Sequence, residues 1–338
     1  MVVLNLCYSD VVTLDTFINK CGLDSVMTLN VIVNNVVAVD REVSHGPGST
    51  TDNFEKMSDF SREKCHGVVL GNGQALMLDR AISSVRRSSA QDVDALLADV
   101  QREHVAYWQE VYERQLRVLE GEMKAQYRLV ADEGKRAEII ASKFADEVDR
   151  YHSHLRDGNK QGRGCLYVVA YDKEEKRVRK FHLPEEKDTT LTEFDLVRVM
   201  VDGSGGDLAG AYLTTHTSGV NWKRESVPRD FYFVSLACAA ATANAGVGGF
   251  MDVVVLTPEE VAYLDQKRVN AAVRVCGKQI AGDISKEKAI ELVTQLYEKR
   301  RFNFRSLARE LDMTVSDLQY SPCRIHQDTA RFNARNQI

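Results

Sequence analysis

The strongest constraint on the fold is a short stretch in which two valine-rich runs meet at a pair of asparagines. These runs occupy residues 28–40, on either side of Asn34 and Asn35. An Asn-Asn pair accepts the positive φ angles of a two-residue turn, so the stretch predicts a β-hairpin. A short apolar strand at 67–71 and apolar positions at helical spacing over 72–87 come next. Residues 28–87 are therefore expected to form two β-hairpins followed by a helix.

The position of the asparagine turn determines which residues of the first hairpin face each other. It places Asp40 opposite Leu29, with Thr28 beside them. Lys56 follows Asp40 after sixteen residues, and Gly71 ends the next predicted strand. Side chains alternate between the two faces of a strand, so these pairings hold only in one register. An aspartate and a threonine are thus expected to lie side by side at the open end of the hairpin.

The order of elements resembles the first third of a proteasome β-type subunit, an HslV-like member of the N-terminal nucleophile (Ntn) hydrolase family. The resemblance includes the bacterial HslV and Anbu relatives and covers residues 26–265 apart from a helical insert. It implies a nucleophilic threonine that begins the mature chain, with an aspartate and a lysine close by. Thr28, Asp40 and Lys56 occupy those positions. Their hairpin is four residues shorter than is usual in the family, an even difference that preserves the register.

Two further site residues follow from the resemblance. Gly71 would offer a backbone N–H to the oxyanion, and Ser204 would belong to the hydrogen-bond network of the site. Ser204 lies in a strand–glycine–serine–glycine–helix segment, which also fits a phosphate-binding loop or a plain packing turn. The Asp40–Lys56 pair likewise has a structural alternative, an ion pair that braces the hairpin.

The same resemblance, together with the order of elements, predicts the fold. We expect an α+β protein built as a four-layer αββα sandwich, with two antiparallel sheets between layers of helices. Residues 1–27 would be an N-terminal extension or propeptide, and 28–265 the proteasome-like domain. A long helical hairpin is inserted at about 90–156, because charged residues there surround an apolar stripe at helical spacing. Residues 266–338 are expected to form a small helical C-terminal extension that packs as a separate unit.

Composition and charge limit which partners, cellular compartment and cofactors are expected for this chain. The 338-residue chain has a net charge of −5, so we expect neither nucleic acid nor an anionic membrane as a partner. A helix-turn-helix-like spacing over 303–319 is common by chance, and we expect a small helical cap or a subunit contact there in preference to a DNA-binding element. No apolar run approaches the roughly 20 residues of a membrane-spanning helix. Seven scattered cysteines without a Cys-x-x-Cys pair indicate a cytoplasmic protein, and we expect no metal and no cofactor.

The resemblance implies a threonine-type peptidase or amidohydrolase whose Thr28 is freed by autoprocessing. Its substrate would be a peptide or protein, and copies of the chain would assemble into a ring or stacked ring. The helical hairpin would offer a docking surface to a regulatory partner. The alternative is a non-catalytic structural or binding subunit of the same fold. Three departures from the family pattern favour it: Met27 replaces the usual glycine, and Asn244 and Val247 stand near the family's supporting Asp and Ser.

Overall fold

The computed structural model describes residues 25–26, 29–40, 43–44, 50–51, 55–156, 165–184, 191–194, 198–203, 205–222, 226–242 and 251–319. Thr28, Ser204, Asn244 and Val247 lie outside these described residues. The chain divides into two compact units. One consists of Ser25–Tyr107 and Gly162–Ile338, and the other of Met1–Asp24 and Trp108–Gln161.

Strands and helices alternate in groups along the chain. The strands are β1 (Ser25–Val26), β2 (Leu29–Val33), β3 (Val36–Asp40), β4 (Val43–Ser44), β5 (Thr50–Thr51), β6 (Met57–Ser61), β7 (Cys65–Gly71), β8 (Gly73–Gln74), β9 (Cys165–Asp172), β10 (Arg177–Pro184), β11 (Thr192–Glu193), β12 (Val199–Gly203), β13 (Met251–Leu256) and β14 (Val261–Tyr263). The helices are α1 (Ala75–Arg87), α2 (Val93–Gln126), α3 (Glu133–Arg156), α4 (Gly206–Thr217), α5 (Val227–Ala241), α6 (Gln266–Ile280), α7 (Lys286–Glu298), α8 (Phe304–Glu310) and α9 (Val315–Gln319).

Two five-stranded sheets form the centre of the larger unit, and every neighbouring pair of strands in them is antiparallel. The β9 sheet has the order β11-β10-β9-β7-β6, and the β3 sheet has the order β12-β2-β3-β13-β14. Their central strands are almost continuously apolar, as expected of strands buried on both faces. The fold class is therefore α+β.

The predicted asparagine hairpin is confirmed. Val33 pairs with Val36, and Asn34 has a φ angle of 50°, so it adopts the left-handed conformation that a tight turn needs. The pairing continues to Asn30 opposite Val39. Leu29 therefore lies opposite Asp40, in the register that was expected from the position of the turn.

The two sheets share one apolar cluster, to which strands of both contribute. Its buried side chains come from alternate positions of the strands, because only one face of each strand points towards the other sheet. They are Ile32, Val37, Val39, Val254 and Leu256 of the β3 sheet, and Met57 (of β6), Val68, Leu70, Cys165, Tyr167 and Val169 of the β9 sheet. The polar site described below lies where this cluster reaches the ends of the strands.

The helices after residue 205 form a single core with the β3 sheet. Helix α5 is apolar on nearly every side and packs on β2 and β3, with α4, α6 and α7 against it. Leu292, Leu307 and Leu318 of the last helices are buried in the same cluster as Val31 of β2. The C-terminal helices are therefore part of the core of this unit and do not pack separately.

This arrangement corrects the four-layer αββα prediction. What the structure has is two antiparallel five-stranded sheets plus helices, with the C-terminal helices sharing the α4–α5 core. The prediction of two flanking helical layers and a separate small extension is wrong for this structure, because the C-terminal helices belong to the same core as α4 and α5. The long helix α6 lies at the start of the expected extension, directly after β14, and belongs to this shared core.

Helices α2 and α3 correspond to the predicted helical insert. The turn between them spans residues 127–132. Helix α2 crosses the boundary between the two units, because its first fifteen residues belong to the larger one. None of the helices in the described parts of the chain is long and apolar enough to cross a membrane.

Candidate functional site

Asp40 and Lys56 come from different sheets and meet inside the protein. Asp40 is the last residue of β3, and Lys56 directly precedes β6 in the β9 sheet. The Lys56 Nζ lies 3.0 Å from the Asp40 Oδ1, and neither side chain is exposed to solvent. The same Oδ1 accepts a hydrogen bond of 2.8 Å from the Leu29 N–H. An ion pair that joins the two sheets is thus anchored to the residue that follows Thr28.

The complete burial of this pair has an energetic consequence. Desolvating two charges costs several kcal/mol, and their attraction offsets the cost only when the contact is close and hydrogen-bonded. Removing one partner would leave the other charge buried without compensation, at a cost of about 3–5 kcal/mol. The contact between Asp40 and Lys56 is therefore tightly constrained, and it fixes an ammonium group at the end of the asparagine hairpin.

Gly71 stands where a side chain cannot be accommodated. A Cβ atom added to it would lie 2.7 Å from the Cys165 carbonyl oxygen and 2.8 Å from the Leu166 Cδ2. Real Cβ atoms do not approach backbone oxygen so closely. Glycine is required here because β7 and β9 come together at this point.

The ladder between β7 and β9 determines the direction of the Gly71 N–H. Asn72 donates its N–H to the Cys165 carbonyl over 3.0 Å, so those two residues form a hydrogen-bonded pair. Pairs alternate along an antiparallel ladder, and the Gly71–Leu166 pair is therefore not hydrogen-bonded. The Gly71 N–H consequently points away from β9 and towards the β6 side of the strand. Lys56 lies on that side, directly before β6. Gly71 lies one position beyond the last paired residues of β6 and β7.

Of the five residues predicted for the site, the structure describes three. It brings Asp40 and Lys56 into contact and sets Gly71 at the neighbouring strand end. Thr28 and Ser204 lie outside the described residues. Leu29 and Gly203, which adjoin them in the sequence, are paired across β2 and β12.

A second polar network, which the sequence did not reveal, lies next to Gly71. The carboxylate of Asp202 accepts hydrogen bonds of 2.7 Å from the Asn72 Nδ2 and from the Tyr167 hydroxyl. The Cys165 thiol donates to the same oxygen over 2.7 Å. Asn72 also accepts the Cys165 N–H over 2.7 Å through its Oδ1. Three polar side chains are therefore joined around one carboxylate between the sheets.

The network keeps Asp202 ionised. Burial by itself raises the pKa of this carboxyl, but hydrogen bonds from Cys165, Tyr167, the Gly203 N–H and Asn72 outweigh it, and the pKa lies below its usual range. Burial, with Asp202 nearby, raises the pKa of the Cys165 thiol and of the Tyr167 hydroxyl, so both stay protonated. Each can then donate to the carboxylate.

Sequence patterns offered only a faint signal for this network. Cys165 and Tyr167 are two positions apart on β9 and so share a face. Asp202 directly precedes the glycine that ends β12. Asn72 and Asp202 are separated by 130 residues, so their contact depends on how the two sheets are stacked.

The adjacent pair Cys65 and His66 does not form a thiol site. Neighbouring residues on a strand point to opposite faces, and these two side chains have separate partners. His66 Nε2 lies 2.7 Å from the Thr257 carbonyl oxygen, and the Cys65 thiol faces Gln91.

Two further features bear on possible chemistry. The part of the chain that the structure describes contains no cluster of His, Cys, Asp or Glu side chains suited to a metal ion. A groove of about 720 Å³ lies between α2 and α3, with Ile140 and Phe144 among its apolar residues and Lys124 and Glu133 among its charged ones. Its lining has no hydroxyl, thiol or imidazole group, and it offers no nucleophile of those types.

The chain is similar to solved structures but matches no protein-family model and no curated protein. Similar solved structures include Anbu from Hyphomicrobium sp., with 13% identity over 81% of this chain and 99% of that one and a TM-score of 0.44. Anbu from Yersinia bercovieri, an ancestral β-subunit, has 12% identity over 77% and 97% of the two chains, with a TM-score of 0.46. The Anbu complex from Pseudomonas aeruginosa, a helical assembly, has 12% identity over 75% and 95%, with a TM-score of 0.45.

These comparisons correct the expected assignment to an HslV-like family. The similar structures named above are Anbu proteins, and nothing in them supports an HslV-like subunit. At TM-scores below 0.5 and identities of 12–13%, this likeness neither assigns the fold nor bears on the chemistry.

Proposed function

We propose that the chain is a proteasome-like subunit that acts as a threonine-type peptidase or amidohydrolase. Its nucleophile would be Thr28, exposed by cleavage of the bond to Met27. The observation that most supports this proposal is the buried contact between Lys56 and Asp40, whose carboxylate also accepts the Leu29 N–H. That contact holds a cation at the carboxylate oxygen that also accepts the N–H of Leu29, the residue after Thr28 in the sequence.

The proposed reaction proceeds through an ester on Thr28. The Thr28 Oγ attacks the substrate carbonyl while the free α-amine accepts its proton, because a threonine hydroxyl is too weak a nucleophile unless it is activated. The Gly71 N–H meets the developing oxyanion. The C–N bond then breaks, and the leaving amine takes the proton. Water hydrolyses the ester, which releases the acid and regenerates Thr28.

Lys56 and Asp40 would have distinct parts in this reaction. The Lys56 ammonium stabilises negative charge that develops near Thr28, since a cation in a buried site acts strongly on neighbouring groups. Asp40 holds Lys56 in place and, through the Leu29 N–H, holds the backbone next to Thr28. Ser204 is proposed to extend the hydrogen-bond network from the adjoining β12 edge.

We further propose that copies of the chain associate into a ring or stacked ring in the cytoplasm. Cys65, Cys165 and Cys276 are free thiols, which supports a reducing compartment. The substrate would be a peptide or a protein. Light scattering at micromolar concentration tests the assembly, and a monomer throughout would contradict it.

The activity is tested by intact-mass measurement of the purified protein. We expect the mass to fall by the 27 residues that precede Thr28. Thr28→Ala is expected to remain at full length because it lacks the nucleophile, whereas Thr28→Ser keeps a hydroxyl and should still be processed. Lys56→Arg keeps the charge but changes its shape, and it should slow cleavage by at least about 100-fold.

The controls separate chemistry from folding. Each variant is compared with the wild type by circular dichroism and urea unfolding, so that loss of cleavage is interpreted only in folded protein. A folded, assembled wild type whose mass still begins at Met1 would contradict the proposal and favour the non-catalytic subunit. Cleavage that persists in Thr28→Ala would point to an external protease.

A further inference from the structure

The hydrogen bond between Asn72 and Asp202 is a direct polar link between the two sheets. Asn72 follows β7 in the β9 sheet, and Asp202 belongs to β12 in the β3 sheet. Their side chains meet over 2.7 Å from the Asn72 Nδ2 to the Asp202 Oδ2. Both residues are adjacent to a glycine of the site region, Gly71 and Gly203 respectively. The link therefore lies directly beside the proposed oxyanion donor.

Each end of the link is held by further contacts, within its own sheet and, for Asp202, also with β9 of the other sheet. The backbone and side chain of Asn72 both bond to Cys165, as donor over 3.0 Å and as acceptor over 2.7 Å. Asp202 is paired with Asn30 in the ladder between β12 and β2. Its carboxylate is also fixed by Tyr167 and Cys165. Neither end can shift without breaking hydrogen bonds in a buried region.

The position of Asp202 connects the link to the proposed nucleophile. Gly203, the next residue, is paired with Leu29, and Leu29 follows Thr28. Leu29 also donates its N–H to Asp40. A displacement of β12 relative to β7 would consequently change the distance between the Gly71 N–H and Leu29, the residue that follows Thr28 in the sequence.

We propose that Asn72 and Asp202 are positioning residues that set the separation between the proposed nucleophile and the proposed oxyanion donor. The inference rests on the proposed function and deepens it, since Thr28 precedes β2 of one sheet in the sequence and Gly71 ends β7 of the other. A misplacement of about 1 Å between reacting groups can cost about 100-fold in rate. A direct hydrogen bond between the sheets beside Gly71 limits the displacement of one sheet against the other.

The chemistry of the pair allows a reciprocal test. In Asn72→Asp two carboxylates face each other and repel. In Asp202→Asn the charge is lost, and the amide has a single oxygen for the three donors that now share the carboxylate. In the double variant Asn72→Asp/Asp202→Asn, the carboxylate introduced at position 72 can accept both the Cys165 N–H and the amide at position 202. The link is thereby restored with its donor and acceptor exchanged.

The measured quantity is the rate of conversion from the full-length to the shortened chain, followed by intact mass after cell-free synthesis. We expect Asn72→Asp to slow conversion by about 100-fold and Asp202→Asn by about 10-fold, as expected for misplaced reacting groups. The double variant should recover to within about 10-fold of the wild type. Such recovery is not expected if each residue merely contributes to stability on its own.

His66→Phe is the matched control. His66 is the second residue of the same strand β7, and its hydrogen bond to the Thr257 carbonyl oxygen also joins the two sheets, at the end remote from Asn72. Phenylalanine keeps a ring that can stack on Tyr171 but loses the hydrogen bond. We expect its urea midpoint to fall while its conversion rate stays within about threefold of the wild type.

The same variants in a Thr28→Ala background measure the link without any processing. There we expect the urea midpoints of the two single variants to fall and that of the double variant to recover. A processed wild type whose double variant is no faster than Asn72→Asp, or whose His66→Phe is equally slow, overturns the positioning role alone. A wild type that stays at full length overturns the proposed function and the positioning role together, whatever the midpoints show.

Discussion

Lys56 and Lys180, two buried lysines in the described part of the chain, have different surroundings. Lys56 is matched by Asp40 at 3.0 Å and links the sheets at the proposed site. Lys180 is also buried, on the face of β10 that carries Val178 and His182. Its pKa is lowered to about 8, mainly by burial and also by Arg198, while Asp230 acts in the opposite direction. Burial of the Lys180 charge therefore opposes folding at neutral pH.

The Lys180 side chain therefore predicts a pH dependence of stability. Its folded pKa, about 8, is below its unfolded value of 10.5, so the unfolded chain holds more protons between these values and the unfolding free energy rises with pH there. Lys180→Met removes the charge, and we expect it to raise the unfolding free energy at pH 7 by about 1–3 kcal/mol. The gain over the wild type should shrink as the pH approaches about 10. Urea unfolding at several pH values measures both effects.

Lys64→Met is the control for this experiment. Lys64 is exposed and pairs with Glu174 at the surface, so its loss should leave a difference from the wild type that is small and constant between pH 7 and about 9. A Lys180→Met protein that is less stable than the wild type at pH 7 would show that the lysine contributes a favourable contact that outweighs its desolvation.

Among the elements, the C-terminal helices differ most from what was expected of them. Helix α6 is anchored to the C-terminal end of α7 and the residue that follows it by Arg268, which donates to the carbonyl oxygens of Leu296 and Lys299 over 2.7 Å each. Asn270 of the same helix donates to the Gln319 carbonyl oxygen over 2.6 Å. These bonds hold the α7–α9 segment to a helix that itself packs on α5. The extension is thus an integral layer of the larger unit.

A buried leucine of α7 tests this view of the C-terminal helices. Leu292 is 3% exposed and belongs to the core cluster of the β3 sheet, so Leu292→Ala should lower the unfolding free energy of the whole unit by about 2–5 kcal/mol. Leu129→Ala, at a position 87% exposed, should change it by less than about 0.5 kcal/mol. A separate early transition in Leu292→Ala, with the main transition unchanged, would instead mean that the C-terminal helices unfold independently.

The whole molecule consists of two units that share one long helix. The residues of α2 up to Tyr107 include many buried apolar side chains, among them Val93, Leu96 and Val100. Beyond Val111 most of its described side chains are exposed or only partly buried. Local stability follows packing, so one continuous helix should have a well-protected and a poorly protected half.

Hydrogen exchange measures this difference directly. We expect backbone amides over 97–107 to exchange at least about ten times more slowly than those over 114–126, because only the first half is packed into the core of the larger unit. Dilution of the sample provides the control for self-association. Uniform protection along α2 that disappears on dilution would show that another copy of the chain covers its second half.

The site divides clearly into residues that local patterns predicted and residues they did not. The Asp40–Lys56 contact spans sixteen residues, and the resemblance, together with the register of a hairpin whose turn is marked by two asparagines, identified it. Asn72 and Asp202 are 130 residues apart, and no periodicity relates them. Polar residues are common both at strand ends and in loops. The residue types of Asn72 and Asp202 alone therefore carry no information about their partners.

The sequence by itself determined the hairpins, most of the helices and the residues that form the turns. The reason is that turn chemistry and apolar spacing act over a few residues. It did not determine the stacking of the two sheets, the polar link beside Gly71 or the burial of the C-terminal helices. An amphipathic helix such as α7 indicates that one face is buried, but not against which element. Those choices depend on which apolar surfaces meet when distant segments come together, and only the tertiary structure contains that information.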